Sequence, residues 1–186
     1  MILTGSAIRE AVTSGKIIID PFEPGLLNPN SYNYRLGGRL EELISRPADA
    51  TESARTRTID LPDDGYVLQP GTVYLGTTVE TIGSTSFVTS LIGRSSLGRL
   101  GCFLQISADL GQLGAVHRWT LEITVIQPLR IYPGMRVGQV SFWRPAGSRT
   151  PYHGHYGTLS VPAAWSPRAA AGHGAEPALV SQEVTA

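Results

Sequence analysis

The sequence predicts a mainly β domain with one short N-terminal helix. Three observations carry this. From residue 66 to residue 143, short runs rich in Val, Ile, Thr, Phe and Trp follow one another at close spacing. Turn signals such as Pro70-Gly71, Gly83-Ser84 and Pro133-Gly134 separate them. A helical period is found only near the start of the chain. Many short strands with this punctuation form a sandwich or a barrel.

The first element is the helix. Thr4 or Ser6 can cap it, Ile8, Ala11 and Val12 form its apolar stripe, and Gly15 ends it. Residues 16–19 are short and β-branched. Residues 20–30 hold Pro21, Pro24, Gly25 and Pro29 and read as loop. Residues 31–36 alternate as a strand does, and Gly37-Gly38 stops them. Residues 47–58 are polar and aperiodic, an expected exposed loop. The strands expected beyond are 73–75, 77–82, 87–92, 103–107, 119–126, 129–132 and 137–143. From Ser166 the chain is rich in Ala, Gly and Pro. The expected organisation is therefore one domain over 1–160, including a closing arm near 150–160, and a flexible tail over 161–186.

Composition removes several function classes. A chain of 186 residues with 41% apolar content supports a core without disulfide or metal staples. Fifteen basic and fifteen acidic residues give no global electrostatic case for DNA, RNA or an anionic membrane. No apolar run approaches the ~20 residues of a membrane-spanning helix, and no basic region followed by an apolar stretch marks a signal peptide. Cys102 is the only cysteine, which suits a cytoplasmic protein. It also excludes the zinc-dependent cytidine deaminases, which need a C-x-x-C pair.

Two segments carry chemistry. The first, Gly93-Arg94-Ser95-Ser96-Leu97-Gly98-Arg99-Leu100-Gly101, follows an apolar strand. Guanidinium forks match phosphate oxygens, and hydroxyls with free backbone N–H groups can complete a cradle. The same composition also describes a polar surface turn. The second is Arg118-Trp119-Thr120-Leu121-Glu122-Ile123-Thr124-Val125-Ile126. On a strand, Trp119, Leu121, Ile123 and Val125 share one face and Thr120, Glu122 and Thr124 the other. A carboxylate there is either a solvent-facing edge residue or a general acid/base in a pocket.

Taken in order, these segments resemble a known family. Ser95 to Gly101, then Thr120-Leu121-Glu122, Tyr132-Pro133-Gly134-Met135 and Gly138-Gln139 look like the dCTP deaminase pattern. Residues 28–37 resemble that family's N-terminal strand motif, and Leu68-Gln69-Pro70-Gly71 the turn before its central strands. The resemblance implies a dUTPase-like distorted β-barrel, jelly-roll-like, assembled as a homotrimer with active sites between subunits. It implies zinc-independent hydrolytic deamination of a cytosine nucleotide, most simply dCTP to dUTP and ammonia. Glu122 would then move protons, while Ser95 and the Ala108 carbonyl hold the attacking water. Arg99 would stabilise charge around Glu122. Arg94, Ser95, Ser96, Tyr152, His155 and Tyr156 would meet the phosphates. Thr120 and Gln112, with Glu122, would line the base and sugar site. Magnesium would ride on the triphosphate.

The loop between the two segments departs from the family. Counted back from Glu122 without a gap, Gln112 occupies the position of the family's Asp, and His117 that of a glycine. Gln105 stands where His is frequent, and His155 where Lys is usual. A carboxamide brings no charge to the sugar site and cannot activate a water. A dUTPase activity is thereby disfavoured. The departures leave open a deaminase of a ribonucleotide or modified cytosine nucleotide, or a non-catalytic nucleotide-binding regulatory trimer. Other features read as structural: Phe142 and Trp143 as core or interface, Cys102 as a small apolar filler.

Overall fold

The computed structural model describes residues 1–105, 108–154, 157 and 160–166. Helix α1 spans Gly5–Thr13 and buries Ile8 and Ala11. Thr4 occupies the N-cap position, but its side chain makes no capping bond and lies 3.2 Å from the Ser6 hydroxyl instead. Gly15 ends the turn at φ 71°, a conformation glycine adopts without steric penalty.

Eleven strands follow among the described residues. They are β1 (Ile18–Asp20), β2 (Tyr32–Arg35), β3 (Arg39–Leu43), β4 (Thr56–Asp60), β5 (Tyr66–Leu68), β6 (Tyr74–Gly83), β7 (Val88–Gly93), β8 (Cys102–Leu104), β9 (Val116–Val125), β10 (Leu129–Ile131) and β11 (Arg136–Trp143). A four-residue helix, α2 (Ser95–Gly98), joins β7 to β8. The largest sheet runs β4-β3-β6-β9-β8, with β1 also on β6. A second sheet is β2-β11-β7, and β10 pairs with β5. All strand pairs are antiparallel. Tyr32, Tyr34, Leu91, Leu121, Val140 and Phe142 are among the buried side chains that fill the core.

The mainly β expectation with one N-terminal helix is met, and the details differ instructively. The segments expected at 73–75 and 77–82 form one strand, β6. A bulge between Thr77 and Thr81 bends it without ending it, because Thr77 still pairs with Thr120 and Thr81 with Arg118. Part of the expected loop at 47–58 is strand β4, paired with β3. The β3–β4 hairpin has little apolar patterning; Leu40 alone on β3 is fully buried. Polar cross-strand pairs hold it instead: Arg39 with Asp60 at 2.9 Å, Arg57 with Glu42, and Thr58 donating to Glu41 at 2.8 Å. Residues 161–165, placed by sequence in the tail, lie beside the large sheet: the Thr120 hydroxyl of β9 donates to the Val161 carbonyl at 3.5 Å, and the Ala54 N–H of the β3–β4 connection to the Trp165 carbonyl at 3.0 Å. The tail from 167 lies outside the described residues.

Close approach fixes one glycine. A Cβ on Gly138 of β11 would lie 2.1 Å from the Tyr34 hydroxyl and 2.5 Å from the Ile92 carbonyl oxygen. Those two atoms are joined by a 3.0 Å hydrogen bond between β2 and β7 across β11. Burial pushes the Tyr34 phenol far above its ordinary value.

Candidate active site

Strand β9 positions the site. Glu122 pairs with Leu75 of β6, and Thr120 with Thr77. On the other side Leu104 of β8 pairs with Ile123. Leu121, Ile123 and Val125 point into the core, which leaves Thr120 and Glu122 on the open face. The expected alternation of β9 is therefore observed.

Beyond Leu104 the chain leaves the sheet sharply. Gln105 takes φ 53°, a left-handed conformation uncommon for a residue with a side chain. Its side chain is buried and bridges two parts of the site. The Glu122 backbone N–H donates to Gln105 Oε1 at 2.9 Å, and Gln105 Nε2 donates to the Ala108 carbonyl at 3.3 Å. One carboxamide thus fixes the Ala108 carbonyl relative to the strand that carries Glu122. The backbone strain at Gln105 is offset by two hydrogen bonds in a buried place.

Two adjoining cavities share Ala108, Thr120 and Glu122. One, about 500 Å³, extends past Gln105 to Gln112, His117, Trp119 and Tyr152. The other, about 660 Å³, is apolar and is bounded by Leu43, Val73, Leu75 and Trp165. Trp119 is locked where the β6 bulge faces β9: its backbone N–H donates to Thr78 Oγ1 at 3.0 Å and its indole N–H to the Ile82 carbonyl at 2.9 Å. Gly111 lets the loop pass over this tryptophan, since a Cβ there would lie 2.6 Å from the ring and 2.1 Å from Thr89 Oγ1. Tyr152 is anchored by its N–H to the Leu113 carbonyl at 2.7 Å.

The structure thus gathers Glu122, Ala108, Thr120, Gln112 and Tyr152 around one cleft. Arg94, Ser95, Ser96 and Arg99 line neither of these two cavities. Ser95 and Ser96 form the start of α2 and Arg94 and Arg99 flank it, with Leu97 buried beneath and Ser95, Ser96 and Arg99 exposed. The Ile126 N–H donates to the Gly101 carbonyl at 2.9 Å, and Gln127 Nε2 to the Leu100 carbonyl at 3.1 Å. The end of the turn therefore adjoins residues 126 and 127, while Gly93 at its start lies beside Leu104, the strand partner of Ile123. His155 and Tyr156 lie outside the described residues.

In the sequence Gln105 and His117 stand out only as departures from the family pattern, with no place in the site. For Gln105 the missing information is three-dimensional: only the turn after β8 shows that its side chain reaches both Ala108 and Glu122. The contribution of residues 163–165 to the apolar cavity had no signal in sequence. Cys102 is buried, which pushes its thiol up to about 11, and it acts as core. Among the described residues no three His, Cys, Asp or Glu side chains are grouped to hold a metal.

A prediction follows from the bridge. Gln105→Leu removes both hydrogen bonds and strands two backbone groups, so a loss of about 2–4 kcal/mol in stability is expected, measured by urea unfolding. Gln105→His can restore one bond and should recover part of that loss. Equal stability for wild type and Gln105→Leu would show that the bridge holds nothing.

The fold is mostly β. A solved structure described as 2′-deoxycytidine 5′-triphosphate deaminase from Agrobacterium tumefaciens superposes with a TM-score of 0.62 at 23% identity, over 77% of this chain and 48% of that one. This chain thus spans about half the length of that structure. The family model described as dCTP deaminase-like matches residues 2–145. A dCTP deaminase of Rhodopirellula baltica is 44% identical over 151 residues, 79% of this chain and 74% of the relative. A protein of Leptospira biflexa named "dCTP deaminase, dUMP-forming" is 42% identical over 152 residues, 82% of this chain and 87% of the relative. The chain belongs to the dCTP deaminase-like family.

Proposed function

We propose that this protein hydrolytically removes the 4-amino group of a cytosine nucleotide, dCTP and water giving dUTP and ammonia, without zinc. The observation that carries the reading is the joined pair at the cleft: an Ala108 carbonyl tied through Gln105 to the strand bearing Glu122. A carbonyl oxygen can accept a hydrogen bond from the attacking water, and a carboxylate beside it can take that water's proton. Ser95 completes the water site and Arg99 stabilises charge around Glu122 and the base. Thr120, with Gln112, borders the pyrimidine and sugar. Arg94, Ser95 and Ser96, with Tyr152, His155 and Tyr156 of the closing arm, receive the triphosphate. Magnesium travels on the triphosphate oxygens rather than in a protein cage.

That the Arg94–Arg99 turn lines neither cavity around Glu122 of its own chain supports a site shared between subunits, as in a homotrimer. So does the cluster of exposed Ile92, Leu100, Phe103 and Ile126 around that turn. The single buried cysteine suits the cytoplasm. No helix among the described residues is long and apolar enough to cross a membrane.

Some relatives are named as dUMP-forming. Forming dUMP breaks a phosphoanhydride bond and needs a second activated water. Gln112 lines the cleft with a carboxamide that cannot act as a base, so dUTP is the proposed product. The Gln112 and His117 departures also favour, as a second reading, a ribo- or base-modified cytosine nucleotide as substrate.

One assay separates these readings. Ammonia release is measured with dCTP, CTP, dCMP, CMP and 5-substituted cytosine nucleotides, and products are separated chromatographically. The expected result is highest kcat/KM on dCTP, dUTP as product, and a light-scattering mass three times that of the chain. Tight binding without ammonia from any of them would replace the enzyme with a nucleotide-binding protein.

A further inference from the structure

The two cavities that meet at Glu122 differ in what they can hold. The one toward Gln112 and Tyr152 carries polar side chains. The other, about 660 Å³, is walled by Leu43, Ala54, Val73, Leu75, Ala164 and Trp165. Its floor is the open face of the large sheet. Leu75 stands directly opposite Glu122 in the β6–β9 register, so the apolar wall begins beside the carboxylate. It continues past Val73 to Leu43, whose N–H donates to the Val73 carbonyl at 2.9 Å. Residues 163–165 close it from above, fastened where the Ala54 N–H meets the Trp165 carbonyl at 3.0 Å. The other acid on its wall, Asp49, is engaged by Thr51, accepting from the N–H at 2.7 Å and from the hydroxyl at 2.6 Å.

A triphosphate cannot enter the apolar cavity, because its charges would be buried against hydrocarbon without partners. The sugar and phosphates therefore leave through the polar cavity, and N1 of the pyrimidine points that way. In a six-membered ring C4 lies directly across from N1. With C4 held at Glu122 and the Ala108 carbonyl, the exocyclic nitrogen is aimed at the apolar cavity. Departing ammonia needs about the room of one water molecule, roughly 30 Å³. The cavity exceeds that many times over, and its walls suit hydrocarbon rather than ammonia.

We infer that the enzyme also hydrolyses N4-alkylated cytosine nucleotides, releasing an alkylamine in place of ammonia, with the alkyl group lodged among Leu75, Val73 and Trp165. The inference rests on the cytosine-nucleotide reading above and names a base-modified substrate class for the same site. The atoms balance as they do for dCTP. The water oxygen bonds to C4, and one of its protons passes through Glu122 to ring N3. The other proton reaches the exocyclic nitrogen by the same carboxylate. The C4–N bond then breaks with its electron pair on nitrogen, the C4 carbonyl forms, and the neutral amine departs. The step is a hydrolysis throughout and consumes only water.

The test compares dCTP, N4-methyl-dCTP and N4-butyl-dCTP as substrates. The uracil nucleotide is followed chromatographically, and ammonia, methylamine or butylamine is identified by mass. Wild type is expected to turn over N4-methyl-dCTP with a kcat/KM within about tenfold of dCTP, whereas a pocket closed behind the amino group would reject one extra carbon by about 10- to 200-fold. Val73→Phe narrows the cavity from its floor and Ala164→Phe from above, each on a separate element. Either should lower kcat/KM on N4-butyl-dCTP by at least about tenfold and change that on dCTP by less than about threefold. Ammonia from dCTP with a deficit above about tenfold on N4-methyl-dCTP overturns the inference alone, whether or not a variant folds. Equal losses on all three substrates in the folded variants also overturn it. An amine from none of the three overturns the deaminase reading, and the inference with it.

Discussion

Glu122→Gln is expected to lower kcat for ammonia release from dCTP by about 10²- to 10⁴-fold, the scale of a lost general acid/base. Binding of dCTP should change little. In the proposed step the water oxygen attacks C4 as Glu122 takes one of its protons, and that proton is delivered to ring N3. The tetrahedral centre then releases its amino group as ammonia, the added oxygen giving up its proton through Glu122 to the leaving nitrogen. The carbonyl at C4 forms as the C–N bond breaks. A carboxamide of the same size can do none of this carrying. The substitution spares the local geometry, because the bond that ties Glu122 to Gln105 uses the backbone N–H. The Ala108 carbonyl therefore keeps its place. Ammonia is followed by a coupled assay and binding by calorimetry on the same preparations. Wild-type turnover in Glu122→Gln would mean that another group moves the protons.

The parts of this molecule legible in sequence are those written by period and by local punctuation. On β9 the alternation of Leu121, Ile123 and Val125 against Thr120 and Glu122 reads directly as a strand with one face in the core. Strand β3 shows why other parts are silent. Its Arg-Leu-Glu-Glu-Leu run buries Leu40 alone on the core side, and its partner β4 is held by cross-strand ion pairs. Such pairing needs both strands in view, since neither shows the pattern alone. The site divides in the same way. Thr120, Glu122 and Ala108 fall around one cleft. The Arg94–Arg99 turn lines neither cavity, and the residues that follow it, Leu100 and Gly101, meet residues 127 and 126 because β8 runs antiparallel to β9. Gln105 and His117 are single letters, one in the turn after β8 and one near the start of β9. Their places depend on a turn at φ 53° and on a ring packed beneath a bulge, neither of which leaves a periodic trace.

That bulge depends on a buried charge. Glu80 is fully buried on β6, between the two register positions Thr77 and Thr81. Its carboxylate accepts from the Arg35 backbone N–H at 2.9 Å and from Arg35 Nε at 2.7 Å, and Arg35 reaches on to Glu23 at 2.5 Å. The hydrogen bond to Glu80 raises the Arg35 guanidinium above its ordinary value, so the cation persists at every working pH. The Glu80 carbonyl in turn accepts from Thr78 Oγ1 at 2.7 Å, the same hydroxyl that accepts from the Trp119 N–H. Arg35→Met is expected to lower stability by about 3–5 kcal/mol, since it leaves a buried carboxylate without its counter-charge. Arg35→Met with Glu80→Gln should recover much of that loss, because a neutral amide still accepts from the residue-35 N–H and carries no charge to bury. Urea unfolding of the wild type, the two single variants and the double variant gives the coupling. If Arg35→Met costs less than about 1 kcal/mol, the value of an exposed pair, the ion pair is not what holds the bulge against Trp119.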